Sequence, residues 1–135
     1  MKITRATALF SLVAIAIVFS SAPAFAKCKD KDLKGTWYVY VSDLNAEGWE
    51  RCKIKLTSSG RVTGSYCKLS DGEKSDIDGG RLDISSSCKV TGTIDFEEGV
   101  IAVIRQAHMH STKEEISGVG YNNYGVLFSL TAIKP

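Results

Sequence analysis

The strongest constraint on this chain is a period-two alternation of apolar and polar residues, repeated in short runs. Arg51-Cys52-Lys53-Ile54-Lys55-Leu56 alternates throughout, and Trp37, Val39 and Val41 interleave with Tyr38 and Tyr40. Successive side chains on a strand point to opposite faces, so such runs read as half-buried strands. Turn residues follow each run: Ser58-Ser59-Gly60, Glu97-Glu98-Gly99, Ser111-Thr112-Lys113 and Asn122-Asn123. Further strands are expected at 61–69, 81–84, 89–96, 100–110, 115–121 and 126–133. Ser70 to Gly79 is polar and acidic and reads as the longest loop. No stretch has helical period. About eight short strands with brief, uniform connections predict an all-β fold, an antiparallel up-and-down barrel in preference to a sandwich.

The first 26 residues read differently. Lys2 and Arg5 precede an apolar run from Ala6 to Phe19, which Ser20, Ser21 and Pro23 interrupt. Ala24-Phe25-Ala26 then has the small-x-small pattern of a signal-peptidase site, with cleavage before Lys27. The apolar run is shorter than the ~20 residues of a spanning helix. Lys27 separates Ala26 from Cys28, which does not suit a lipoprotein. The expectation is a signal peptide over 1–26 and one β-barrel domain over 27–135, secreted or periplasmic, with no membrane attachment after cleavage.

Export changes how charge and cysteines are read. The chain has 17 Lys and Arg against 15 Asp and Glu; the signal holds two of the bases and no acid, so the remainder is formally neutral. Nothing in the linear sequence forms a basic cluster, which argues against a nucleic-acid partner. All four cysteines (Cys28, Cys52, Cys67 and Cys88) follow the signal. An even number in an exported chain reads as two disulfides. Zinc ligands come in close pairs, and these are spread.

An internal echo predicts the pairing. Ile54 to Ser65 resembles Leu82 to Thr93, each reading strand, turn, strand, with Gly64 and Gly92 at matching positions where strands bend. Cys88 aligns with Gly60 and so falls in a turn. Strand directions alternate, which places that turn at the same end of the barrel as Cys28. Cys52 and Cys67 lie on neighbouring strands nearer the other end. The expected pairs are Cys28–Cys88 and Cys52–Cys67, worth roughly 3–4 kcal/mol each by chain entropy. The hairpin register is open. A two-residue Ser59-Gly60 turn sets Cys52 opposite Cys67, whereas a three-residue turn sets Leu56 opposite Val62 and Cys52 opposite Tyr66. A one-residue slip reverses every face, and a bulge would satisfy both.

Catalytic chemistry is not evident. His108 and His110, the only histidines, would share one strand face with Met109 on the other, two ligands at most, and read as surface residues. Acids crowd turns and the long loop instead of pairing, and no serine sits in a nucleophile turn. No catalytic residue, metal ligand or cofactor is expected, and the chain reads as a non-enzyme. Trp37, Tyr66 and Phe128 are the aromatics expected inside the barrel, as core or as ligand contacts. Tyr38 and Tyr40 are expected outside, where they would suit a protein contact.

Leu33-Lys34-Gly35-Thr36-Trp37 resembles the Gly-x-Trp opening of the calycin barrels, which include lipocalins and avidins, and in which this Trp closes one end. Gly35-Thr36-Trp37-Tyr38 followed by Thr63-Gly64-Ser65-Tyr66 is most similar to avidins, and the likeness covers about the first third of the domain. It implies a ligand-contacting role for Tyr66. Arg51-Cys52-Lys53-Ile54-Lys55-Leu56, with Cys67 as partner, is also similar to a strand of bacterial metalloprotease inhibitors, whose free N-terminal tail enters the protease. The expected function is binding of a small, partly apolar ligand inside the barrel. The alternative is a protein-binding or protease-inhibitor module.

Overall fold

The computed structural model describes residues 27–135; the expected signal, 1–26, lies outside the described residues. After a short 3-10 turn, Asp30–Leu33, come eight strands: β1 Gly35–Asp43, β2 Trp49–Leu56, β3 Val62–Leu69, β4 Lys74–Ile84, β5 Lys89–Phe96, β6 Ile101–Met109, β7 Glu115–Asn122 and β8 Leu127–Ile133. They close in chain order, each antiparallel to the next, and β8 returns to pair with β1. The expected up-and-down barrel is the observed one.

The long loop is not. Connection 70–73 is short, and β4 already begins at Lys74. Lys74 to Asp78 hid its strand character because its inward positions are Ser75 and Ile77, only one of them strongly apolar. Asp78 is also an extra residue, a bulge between Ile77↔Phe96 and Gly79↔Asp95 that breaks the period.

Five of the hairpins close the same way, with an amide N–H donating to the carbonyl four residues on: Thr57 to Arg61, Leu69 to Glu73, Ser85 to Lys89, Phe96 to Val100 and Asn122 to Val126. The fourth residue of each turn has positive φ, which favours glycine. It is Gly60, Gly72, Gly99 and Gly125 in four of them, and Cys88 (φ 66°) in the fifth. The echo is therefore structural. Thr57 and Ser85 play one role: each hydroxyl accepts from the N–H four residues on, Arg61 at 3.1 Å and Lys89 at 3.1 Å.

Both expected disulfides are present, Cys28–Cys88 and Cys52–Cys67. The register question resolves through a bulge. Leu56 faces Val62 and Cys52 faces Cys67, because β3 carries an extra residue at Gly64-Ser65 between the pairs Lys55↔Thr63 and Lys53↔Tyr66. Gly64 takes positive φ there, and buried Ser65 repairs the ladder. The Ser65 Oγ accepts the Lys55 N–H at 2.9 Å and donates to the Thr63 carbonyl at 2.8 Å.

One end of the barrel is sealed. Leu33 of the 3-10 turn is fully buried, and Trp37 beneath it donates its Nε1–H to the Leu33 carbonyl at 2.7 Å. Lys134 Nζ sits 4.9 Å above the Trp37 ring and donates to the Asp32 carbonyl. Lys113 pairs with the Asp32 carboxylate at 2.8 Å, which holds that carboxyl below its usual range. The Cys28–Cys88 bond ties this plug to the β4–β5 turn. Among the described residues, no comparable plug covers the other end.

Candidate functional site

The open end leads into a cavity of about 450 Å³. Its walls follow from strand alternation. Val39 and Val41 of β1, Cys52 and Ile54 of β2, Ile94 and Phe96 of β5, Ala102 and Ile104 of β6, and Phe128 and Leu130 of β8 all take inward positions. Room remains because several inward residues here are small, notably Ser75 and Ala102. Gly120 lets the Phe128 ring lie close against β7, since a Cβ there would come within 2.6 Å of that ring. Below lies a void of about 40 Å³ with apolar lining, bounded by Trp37, Leu56, Leu82 and Val90 among others. The barrel is thus packed in its sealed half and hollow in its open half.

The mouth is acidic. Asp43, Glu50, Glu73, Glu97 and Glu98 line it, against one cation, Lys74. Lys74 is already engaged on the outer surface, paired with Asp76 and 5.1 Å from the Tyr66 ring. Glu50 is half-buried, faces Val41 across the β1–β2 ladder, and has no hydrogen-bond or ionic partner among the described residues. Burial raises its pKa, and the nearby Asp43 carboxylate raises it further. Asp43 is in turn the cross-strand neighbour of Phe128. The mouth is braced by Asn45, whose side chain links the β1–β2 turn to the Gly125 carbonyl and the Leu127 N–H.

Among the described residues, one grouping has metal-ligand proximity: the Glu50 carboxylate and the sulfurs of Cys52 and Cys67, within 4.8 Å of one another. Both sulfurs are spent on the disulfide. The group therefore offers one carboxylate beside a disulfide, not a metal site. His108 and His110 are both exposed, with Met109 buried between them; His110 lies 3.3 Å from the Ser117 hydroxyl.

The three aromatics expected inside are not brought together. Phe128 lines the cavity. Trp37 lies deeper, in the sealed half, and borders only the small void. Tyr66 is on the outer face, between inward Ser65 and Cys67. The Gly64-Ser65 bulge is the reason: it moves Cys67, instead of Tyr66, opposite Cys52. Tyr38 and Tyr40 are outside as expected. The sequence reading missed Asp43 and Glu50. Their signal was available, since Glu50 holds the inward phase of the run Glu50, Cys52, Ile54, Leu56, an acid where the pattern calls for an apolar side chain.

No protein-family model matches the chain, and no curated protein matches it in sequence. In fold it is similar to a de novo designed protein described as a fluorescence-activating β-barrel. The TM-score is 0.61 at 13% identity, over 76% of this chain and 93% of the designed one. That likeness concerns the fold alone.

Proposed function

We propose that this chain is an exported, non-enzymatic, calycin-like barrel that binds a small, partly apolar ligand in its open-end cavity. The observation that carries this reading is the cavity itself: about 450 Å³, apolar in its walls and polar only at its rim. Ligand sites are typically concave, ~300–1,000 Å³, mostly apolar, and furnished with a few polar groups that orient the ligand. Similarity in fold to a designed fluorescence-activating barrel fits a binding role. Two disulfides fit an oxidising, extracellular compartment, which accords with secretion or a periplasmic home. An inhibitor that works through a free N-terminal tail fits less well, because Cys28 is bonded to Cys88.

Native mass spectrometry of protein purified from its own host tests the reading, together with titration of an uncharged, environment-sensitive naphthalene dye. A retained small molecule, or a saturable fluorescence rise, is expected. A bare chain that also leaves the dye unchanged would overturn it.

A further inference from the structure

A ligand cavity does not by itself specify the charge of its ligand; the mouth of this one does. We propose that the cavity takes an organic ammonium ion, its apolar body inside the barrel and its cationic head beside Glu50 and Asp43. This rests on the ligand-binding reading of the same cavity.

Charge at the mouth comes first. Five carboxylates border the opening, and the one ammonium among them, Lys74, is turned to Asp76 and Tyr66 outside. An anionic ligand would meet this field unfavourably, and a neutral one would gain only burial. A cation would gain both burial and attraction.

Glu50 carries the largest unmet demand for a counter-charge in the cavity. A half-buried carboxylate against apolar walls is costly without a partner, and none of the described residues supplies one. Asp43 nearby worsens it by like-charge repulsion. A cationic head placed between them would relieve both costs at once. Binding would then collect free energy that the empty protein forgoes.

The aromatic lining selects the kind of cation. Phe96 and Phe128 border the cavity, and Tyr124 stands at its rim. Phe128 is the direct cross-strand neighbour of Asp43. Ring faces attract alkylammonium groups, which shed water more readily than compact ions do. A hard metal ion would instead need several oxygens converging on one point. Among the described residues, the acids of the mouth form no such group; the only metal-grade cluster is Glu50 with two disulfide sulfurs. A diffuse acidic rim around aromatic walls suits a large, soft cation.

The test compares three probes that share an apolar chain: octyltrimethylammonium, nonanol and nonanoate, each displacing the uncharged naphthalene dye. The quaternary head does not titrate, so any pH dependence belongs to the protein. At neutral pH the ammonium probe is expected to compete about tenfold or more better than nonanol, with nonanoate weakest. Glu50→Gln should bring the ammonium probe close to nonanol, and Asp43→Asn should do the same in part. Equal competition by ammonium and nonanol, or an advantage for nonanoate, would overturn the charge assignment and leave the cavity reading standing. Failure of the dye to bind, together with a bare chain in native mass spectrometry, would remove the cavity reading itself, and the assignment with it.

Discussion

At the residue scale, Glu50 is where the fold and the site pull in different directions. Its neighbours in the inward phase of β2 are Cys52, Ile54 and Leu56, all buried. An acid in that row is visible in the sequence as a break in the apolar phase, and the break marks the site. Folding raises its pKa above the ordinary value of 4.5, chiefly by burial. A raised acid binds its proton more tightly when folded, so its neutral form is the compatible one. Any stability linked to that proton is complete below the ordinary value and is lost as pH climbs through the folded value. Glu50→Gln should therefore raise the Tm by a few degrees at neutral pH and change it little at a pH well below 4.5, as thermal melts across pH would show. Equal effects at both extremes would mean that shape, not charge, decides the difference. Tyr66 carries the opposite lesson. Its inward placement followed from an unbroken ladder, and one extra residue at Gly64-Ser65 turned it out. A bulge needs no more than a glycine and a hydroxyl, both common on strands, so nothing in the alternation announced it.

At the element scale, the register of β2, β3 and β4 assembles a feature that no linear segment contains. Arg51 lies opposite Lys68, and Lys68 lies opposite Lys74, so three exposed cations form a row across three adjacent strands. Each comes from a different run, which is why the sequence showed no basic cluster. Like charges directly opposite on a sheet are destabilising. Lys74 has Asp76 as relief, and Arg51 has, among the described residues, only the Trp49 ring, 5.4 Å away. Lys68→Glu would turn two repulsive cross-strand pairs into attractive ones. The expected gain is about 0.5–1 kcal/mol in urea denaturation at low salt, shrinking as ionic strength rises and screens exposed pairs. A salt-independent change, or a loss of stability, would show that the row is not repulsive in solution. The strands themselves were legible wherever the period held. The second half of β4 was legible, but its first half was not, because the bulge at Asp78 and a polar inward Ser75 erase the alternation there. Turn chemistry was the more dependable signal: the echo of 54–65 in 82–93 located Cys88 in a turn, and both disulfides followed from that placement.

At the scale of the whole molecule, the barrel divides its two tasks between its two ends. The sealed half holds Trp37, Leu82 and Val90 around a void of about 40 Å³, with Leu33 fully buried in the plug. The open half holds about 450 Å³ of unfilled space. Alternation reveals which residues face in, but not whether they fill the interior. That depends on side-chain volumes summed across strands distant in sequence, such as Ala102 on β6 with Phe128 on β8. The division predicts that stability and binding can be altered separately. Leu33→Ala removes a fully buried side chain from the plug and should cost about 2–5 kcal/mol, as core truncations do, while the protein that remains folded still binds the dye. Ala102→Trp places a large ring in the hollow half. Dye binding should be lost there at little cost in stability, because the ring enters existing space instead of forcing a packed core apart. Paired thermal melts and dye titrations of the two variants decide the matter. If Ala102→Trp were as destabilising as Leu33→Ala, the open half would be packed like the sealed one, and a ligand would have nowhere to go.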